Sequence, residues 1–197
     1  MKKWLIPLII IGVILLVGYN KGVGFYNSAV DLEEDSVTAW SNVESSYQRR
    51  ADLIPNLVAT VKGYAEHEKE TLEAVINARA KATQTTIDPS NVSAEQMSQF
   101  QNAQQGVSSA LSRLLVTIEK YPDLKANKNF LELQSQLEGT ENRINIERNK
   151  YNAVVNKFSK HIKKFPNNIL NSLIGGFEEK VRFESKQGSD EAPAVKF

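Results

Sequence analysis

Around His67 the chain reads Tyr64-Ala65-Glu66-His67-Glu68-Lys69-Glu70, a histidine among three carboxylates on a stretch with helical rhythm. Such residues hold metal ions or move protons when their spacing brings them to one point. The spacing here does not. A helical H-E-x-x-H zinc site needs a second histidine four residues on, and that position is Thr71. A di-metal helical bundle needs a glutamate three residues before a histidine; Tyr64 stands there for His67 and Phe158 for His161. These are the 2 histidines of the chain, and it has no cysteine, which excludes thiolate ligands, disulfides and cysteine nucleophiles. No G-x-S-x-G or G-x-x-x-x-G-K stretch is present. The sequence therefore predicts no enzyme, no catalytic residue, no metal and no cofactor.

Simple helix-face chemistry accounts for the charges. Lys62, Glu66, Lys69, Glu70 and Glu73 are neighbours at helical spacing on a solvated face. Glu68 differs, because it fills the step between Ala65 and Leu72 on the apolar stripe. It predicts a buried contact with a cation such as Arg113 or Arg143. A second charged feature ends the longest helical stretch. From Arg148 to Lys164 there are six basic residues and no acidic one. Cations at a helix C-terminus complement its dipole, and they also attract anionic lipid headgroups. Lys157, Lys160, Lys163 and Lys164, followed by Ile169, Leu170, Leu173, Ile174 and Phe177 on one helical face, form a candidate lipid contact. The same apolar residues would equally suit docking on the base of a bundle.

Four helical segments must position these groups. The first runs from about Phe25 to Arg50 with its stripe on Val30, Val37, Trp40, Val43 and Tyr47. The second begins at Pro55, a good first-turn residue, and reaches Thr83, so that Leu53-Ile54-Pro55-Asn56 reads as the turn between them. The third opens at Ser93, with Gln96 at capping-box spacing. Its stripe is Met97, Phe100, Val107, Leu111, Leu114, Ile118 and Tyr121, with Gln104 filling the one step that lacks an apolar residue. Pro122 stops it. The fourth extends from Asn127 to Lys164 on Phe130, Leu133, Leu137, Ile144, Tyr151, Val155, Phe158 and Ile162. Long helices with one apolar face each, joined by short connections, predict an all-α fold: an antiparallel up-down-up-down four-helix bundle. In that arrangement His67 lies about 18 Å and His161 about 51 Å from the same end, too far apart to share an ion.

The N-terminus predicts a membrane segment. From Trp4 to Tyr19 no residue is charged, and Trp4, Leu5, Ile9, Leu15 and Tyr19 mark a candidate span with an aromatic at each edge. At about 24 Å this run is slightly short of a hydrocarbon core of roughly 30 Å. A cleaved signal peptide is the alternative, but no A-x-A site follows, so an uncleaved anchor is expected. Lys2 and Lys3 before the run, and Asp31, Glu33, Glu34 and Asp35 after it, place the N-terminus in the cytoplasm and the bundle outside. The expected organisation is 1–24 anchor, 25–164 bundle, 165–183 short amphipathic or docking segment and 184–197 disordered tail. With 24 basic and 23 acidic residues, no nucleic-acid partner is indicated.

The block from Ala39 to Val75, AWSNVESSYQRRADLIPNLVATVKGYAEHEKETLEAV, resembles the signature of the LemA family of bacterial membrane proteins. Tyr121 to Ile144, Arg148 to Phe158 and the FPNN…GGFEEKVRF element from Phe165 to Phe183 are similar in the same order, and Ala51 departs where the family often has an aromatic. The resemblance implies an N-terminal transmembrane helix and a long-helix bundle in a bacterial inner membrane, with no enzyme activity. The expected function is a single-pass, non-enzymatic scaffold or adaptor that contacts lipid and binds other membrane or envelope proteins. The alternative is an accessory or regulatory subunit of a membrane metallopeptidase, a partner class suggested by the family association alone.

Overall fold

The computed structural model describes residues 4–89 and 92–184, and among them there is helix and loop but no strand. Helix α1 spans Leu5–Lys62, 58 residues without a break. It is followed by α2 (Lys69–Gln84), α3 (Ala94–Ile118), the single turn α4 (Pro122–Lys125), α5 (Lys128–Lys163) and the short α6 (Asn167–Leu170), which runs into a π-turn at Asn171–Gly175. The expected disordered tail falls, from residue 185 on, outside the described residues, as do Lys2 and Lys3.

The helix ends obey the signals in the sequence where those signals are caps. Gln96 donates its N–H to Ser93 Oγ, and Ser93 donates its own to Gln96 Oε1, a complete capping box at the start of α3. Asn127 Oδ1 accepts the Phe130 N–H at 3.1 Å and opens α5. Pro122 sits in the first turn of α4, just past the end of α3.

The expected break at Leu53-Ile54-Pro55-Asn56 is overturned. Pro55 lies inside α1, and the chain reverses at Gly63 to Glu68 instead. Proline removes one helical N–H and orphans the carbonyl four residues back, here that of Ala51. Arg79 of α2 donates Nε to Ala51 O at 2.7 Å and replaces the missing donor. Apolar burial also favours continuity: Leu53, Ile54, Leu57 and Val61 are all in the core. His67 therefore lies in the turn, not on a helix.

Paired residues define how the helices lie. Phe25 with His161, Trp40 with Tyr151, Arg50 with Glu141 and Tyr64 with Asn127 meet in turn, so numbers fall along α5 as they rise along α1. Along α3 they rise together, from Phe100 beside Trp40 to Gln104 and Ser108 beside Arg50. The core follows α1 in three zones. Leu57, Val61, Val75, Leu114, Leu124 and Phe130 fill the end distant from the N-terminus. Trp40, Val43, Met97, Phe100, Tyr151 and Val155 fill the middle. Leu32, Phe158 and Ile162, with Phe177 against them, close the end nearer the apolar N-terminal run. Beyond that end the side chains from Leu5 to Val17 are all exposed.

Candidate functional site

Between α3 and α5 the helices stand apart over a groove of ≈ 850 Å³ whose floor includes Tyr47, Arg50 and Leu57 of α1. Its walls combine amides and hydroxyls of α3, such as Gln101, Gln105 and Ser112, with Gln134, Glu138 and Asn145 of α5. Apolar side chains, among them Met97, Leu111 and Ile144, lie deeper.

Arg50 organises this groove. It is 2 % exposed. Its Nη1 donates to Glu141 Oε1 at 2.5 Å and to Ser108 Oγ at 2.9 Å. Its Nη2 donates to the side-chain and backbone oxygens of Gln104 at 2.7 and 3.1 Å. One guanidinium thus ties α1 to both walls, with the fork geometry that suits several acceptors in a plane. The Tyr47 ring lies 5.1 Å from its central carbon, in cation–π range. Burial, ahead of all else, pushes the Tyr47 hydroxyl above its ordinary pKa. Both terminal nitrogens of Arg50 are engaged by protein acceptors, so the group is a clamp rather than a reagent. Sequence reasoning missed Arg50 because it stood at the expected end of the first helix. Gln104, the polar step in an otherwise apolar stripe, was the available signal.

Next to the groove an extended strap, Phe177 to Glu184, lies across α5. Asn152 behaves like a strand edge: its side-chain oxygen accepts the Phe183 N–H, and its amide donates to Phe183 O, each at 2.9 Å. Tyr151 donates its hydroxyl to Val181 O at 2.9 Å. Phe183 stacks on Trp40 with 5.6 Å between ring centres, and Arg148 lies over the Phe183 ring at 4.7 Å. Burial raises the Tyr151 hydroxyl to a pKa of about 12. The expected segment 165–183 is therefore two things, a compact turn and a docked strap.

The other sequence-derived sites divide. Glu68 is half-buried in the turn before α2 and accepts the Tyr121 hydroxyl at 3.0 Å. Arg113 and Arg143 are both exposed and do not meet it; the expected cation is replaced by a phenol. The stripe had placed Glu68 within a helix, whereas the real turn begins five residues earlier and reorients it. That hydrogen bond is the first cause raising the Tyr121 pKa. His67 is exposed, while His161 stacks on Phe25 at the opposite end of α5. Lys157, Lys160 and Lys164 are exposed, and Lys163 pairs with Glu179. Ile169, Leu173 and Ile174 are exposed and Leu170 half-buried. Phe177 turns inward against Phe25, Tyr26 and Phe158.

Residues 39–197 match the model of the LemA family. Among curated relatives, magnetosome protein MamQ 2 of Paramagnetospirillum magneticum is 26 % identical over 182 residues, 84 % of this chain and 66 % of that protein. Magnetosome protein MamQ of Magnetospirillum gryphiswaldense is 25 % identical over the same shares. Protein LemA of Metamycoplasma hominis is 27 % identical over 133 residues, 66 % of this chain and 57 % of its own length. The chain thus spans just under two thirds of the length of the MamQ proteins and less of the LemA relative.

Proposed function

This chain belongs to the LemA family, and we propose that it is a non-enzymatic, single-pass membrane scaffold whose antiparallel four-helix bundle holds other membrane or envelope proteins beside the bilayer. The observation that carries this reading is the continuity of α1. A run near the N-terminus, long and apolar enough to cross a membrane, continues without a break into the core of the helical body. A cleaved signal would normally part from the mature chain at a small-residue site outside regular packing, whereas here Gly22, Phe25 and Ala29 are already buried in the body. The charge order around the apolar run supports a bacterial inner-membrane protein with its N-terminus in the cytoplasm.

The groove between α3 and α5 supports the adaptor part. Its deeper apolar side chains, such as Met97, Leu111 and Ile144, and its amide walls suit a helix of a partner protein, which would bury one stripe and satisfy its polar flanks. Arg50, whose two terminal nitrogens are held by Glu141, Gln104 and Ser108, keeps the groove's shape and performs no reaction.

The test is photocrosslinking in intact membranes, with the reactive group at Gln105 or Asn145 in the groove and at exposed Ile76 on α2 as control. The scaffold reading expects discrete adducts with membrane or envelope proteins from the groove positions and not from Ile76. Equal labelling from all three, or none from the groove, overturns it. Recovery of a metallopeptidase alone would turn the reading to an accessory subunit of that enzyme.

A further inference from the structure

The segment from Phe165 to Gly175 carries large apolar side chains outward. Phe165 is 80 % and Leu173 74 % exposed, and Ile169 and Ile174 are also open. This is not a frayed end. Asn171 closes the turn with two 3.0 Å hydrogen bonds, its oxygen accepting Phe177 N–H and its amide donating to Phe177 O. Asn167 bonds the His161 carbonyl at 3.0 Å, which fixes the start of α6 on α5. Gly176 takes a positive φ of 65°, and a Cβ at Gly175 would stand 2.4 Å from Asn171 Oδ1 and 3.1 Å from the Phe25 ring. The turn is built, and it is built with its apolar side out.

Its position says what that side meets. Ile174 Cδ1 lies 3.3 Å from where a Cβ of Gly22 would be, so the turn rests on α1 where the uncharged run ends. On α1 itself, exposed Val23 and Tyr26 carry the apolar surface past Lys21 at the same height. Lys21, Lys160 and Lys164 are exposed close by in sequence to these elements. The run from Trp4 to Tyr19 covers about 24 Å, less than the hydrocarbon thickness. A second apolar surface at its outer end lengthens the greasy girdle where it is short. Contiguous exposed apolar patches of this kind mark membrane or protein contacts.

We propose that the Phe165–Gly175 turn is a second membrane contact, seated in the bilayer interface beside α1 with Phe165, Ile169, Leu173 and Ile174 among the acyl chains and Lys160 and Lys164 at anionic headgroups. The proposal rests on reading the N-terminal part of α1 as a spanning helix. It gives the body two points of attachment, so it cannot swivel freely about the span.

The chain has no native cysteine, so single labels are unambiguous. The full chain is reconstituted in phosphatidylglycerol-containing vesicles with a fluorophore on Ile11→Cys, Leu173→Cys or Val116→Cys. Quenching is read with lipids brominated at different depths and with a water-soluble quencher. Ile11→Cys reports the span and exposed Val116→Cys the distant body. The proposal expects Leu173→Cys to be quenched several-fold more by shallow bromines than Val116→Cys, with deeper quenching for Ile11→Cys. It also expects Lys160→Gln with Lys164→Gln to weaken shallow quenching of Leu173→Cys in anionic vesicles and to remove its dependence on anionic lipid. Leu173→Cys as open to the aqueous quencher as Val116→Cys, with Ile11→Cys deep, overturns the second contact and leaves the span. Protection of Leu173→Cys from both quenchers means a second copy of the chain covers it, and also overturns the proposal. Ile11→Cys in water overturns the spanning reading, and the contact with it.

Discussion

Arg79 donates its Nε to the carbonyl oxygen of Ala51, the carbonyl that Pro55 leaves without a helical donor. The interaction explains how a proline resides deep in a long helix. It also predicts coupling. Arg79→Met should cost about 1–3 kcal/mol, because it strands a buried carbonyl. In a Pro55→Ala background the restored backbone N–H satisfies Ala51, and the same Arg79→Met change should cost much less. Urea unfolding of the four proteins checks this; equal costs in both backgrounds would remove the compensation argument.

Arg50 and Glu141 should not be equivalent. Arg50 is 2 % exposed whereas Glu141 is 41 % exposed. Glu141→Leu leaves a buried guanidinium short of its counter-charge, a loss on the order of 3 kcal/mol. Arg50→Met removes the buried charge itself, and the remaining carboxylate can hydrate, so the loss should be smaller. Equilibrium unfolding measured on both variants gives the order directly.

The strap should report through Trp40. Phe183→Ala removes the ring stacked on it and opens a cavity in the aromatic cluster, for about 3–5 kcal/mol of stability. In a Trp4→Phe background, which leaves Trp40 as the sole tryptophan, its emission should shift to the red. Asn152→Ala should shift it the same way but less, since it cuts both hydrogen bonds to the Phe183 backbone without removing the ring.

Alkaline stability should carry the mark of Tyr151. Burial raises its pKa from 10.0 to about 12. Between these values the folded state keeps a proton that the unfolded state has released, so stability falls as pH rises through the window. Below pH 10 the contribution is complete and flat. Tyr151→Phe has no proton to lose, and its stability should decline less steeply between pH 10 and 12. Denaturant midpoints at pH 9, 10.5 and 11.5 for both proteins test the slope.

Much of the helical body was legible because caps and apolar spacing act locally. Ser93 with Gln96, Asn127 and the Phe130–Ile162 stripe announced α3 and α5 without help from the rest of the chain. Pro55 was misread because its cost is offset by Arg79, a residue distant in sequence, which no local rule can see. That one error hid Arg50, whose neighbours Tyr47, Ile54 and Leu57 continue the same buried face. It also displaced Glu68 onto a stripe it does not occupy. The strap from Phe177 to Glu184 has no periodicity, since Asn152 and Tyr151 supply its hydrogen bonds. The absence of a metal or nucleophile motif left binding as the expected function, but the groove depends on where α3 and α5 diverge, which side-chain spacing does not encode.

The unbroken α1 makes the molecule a lever. Its 58 residues amount to a rod about 87 Å long. With no hinge between the apolar end and Arg50, any lean of the rod in a bilayer is also the lean of the groove. A tilt of about 20° would carry Arg50 about 14 Å sideways relative to Gly22. On the proposed spanning reading, the interfacial anchors that set such a tilt, Trp4 and Tyr19 with the turn at Phe165–Gly175, thereby also set where the groove stands.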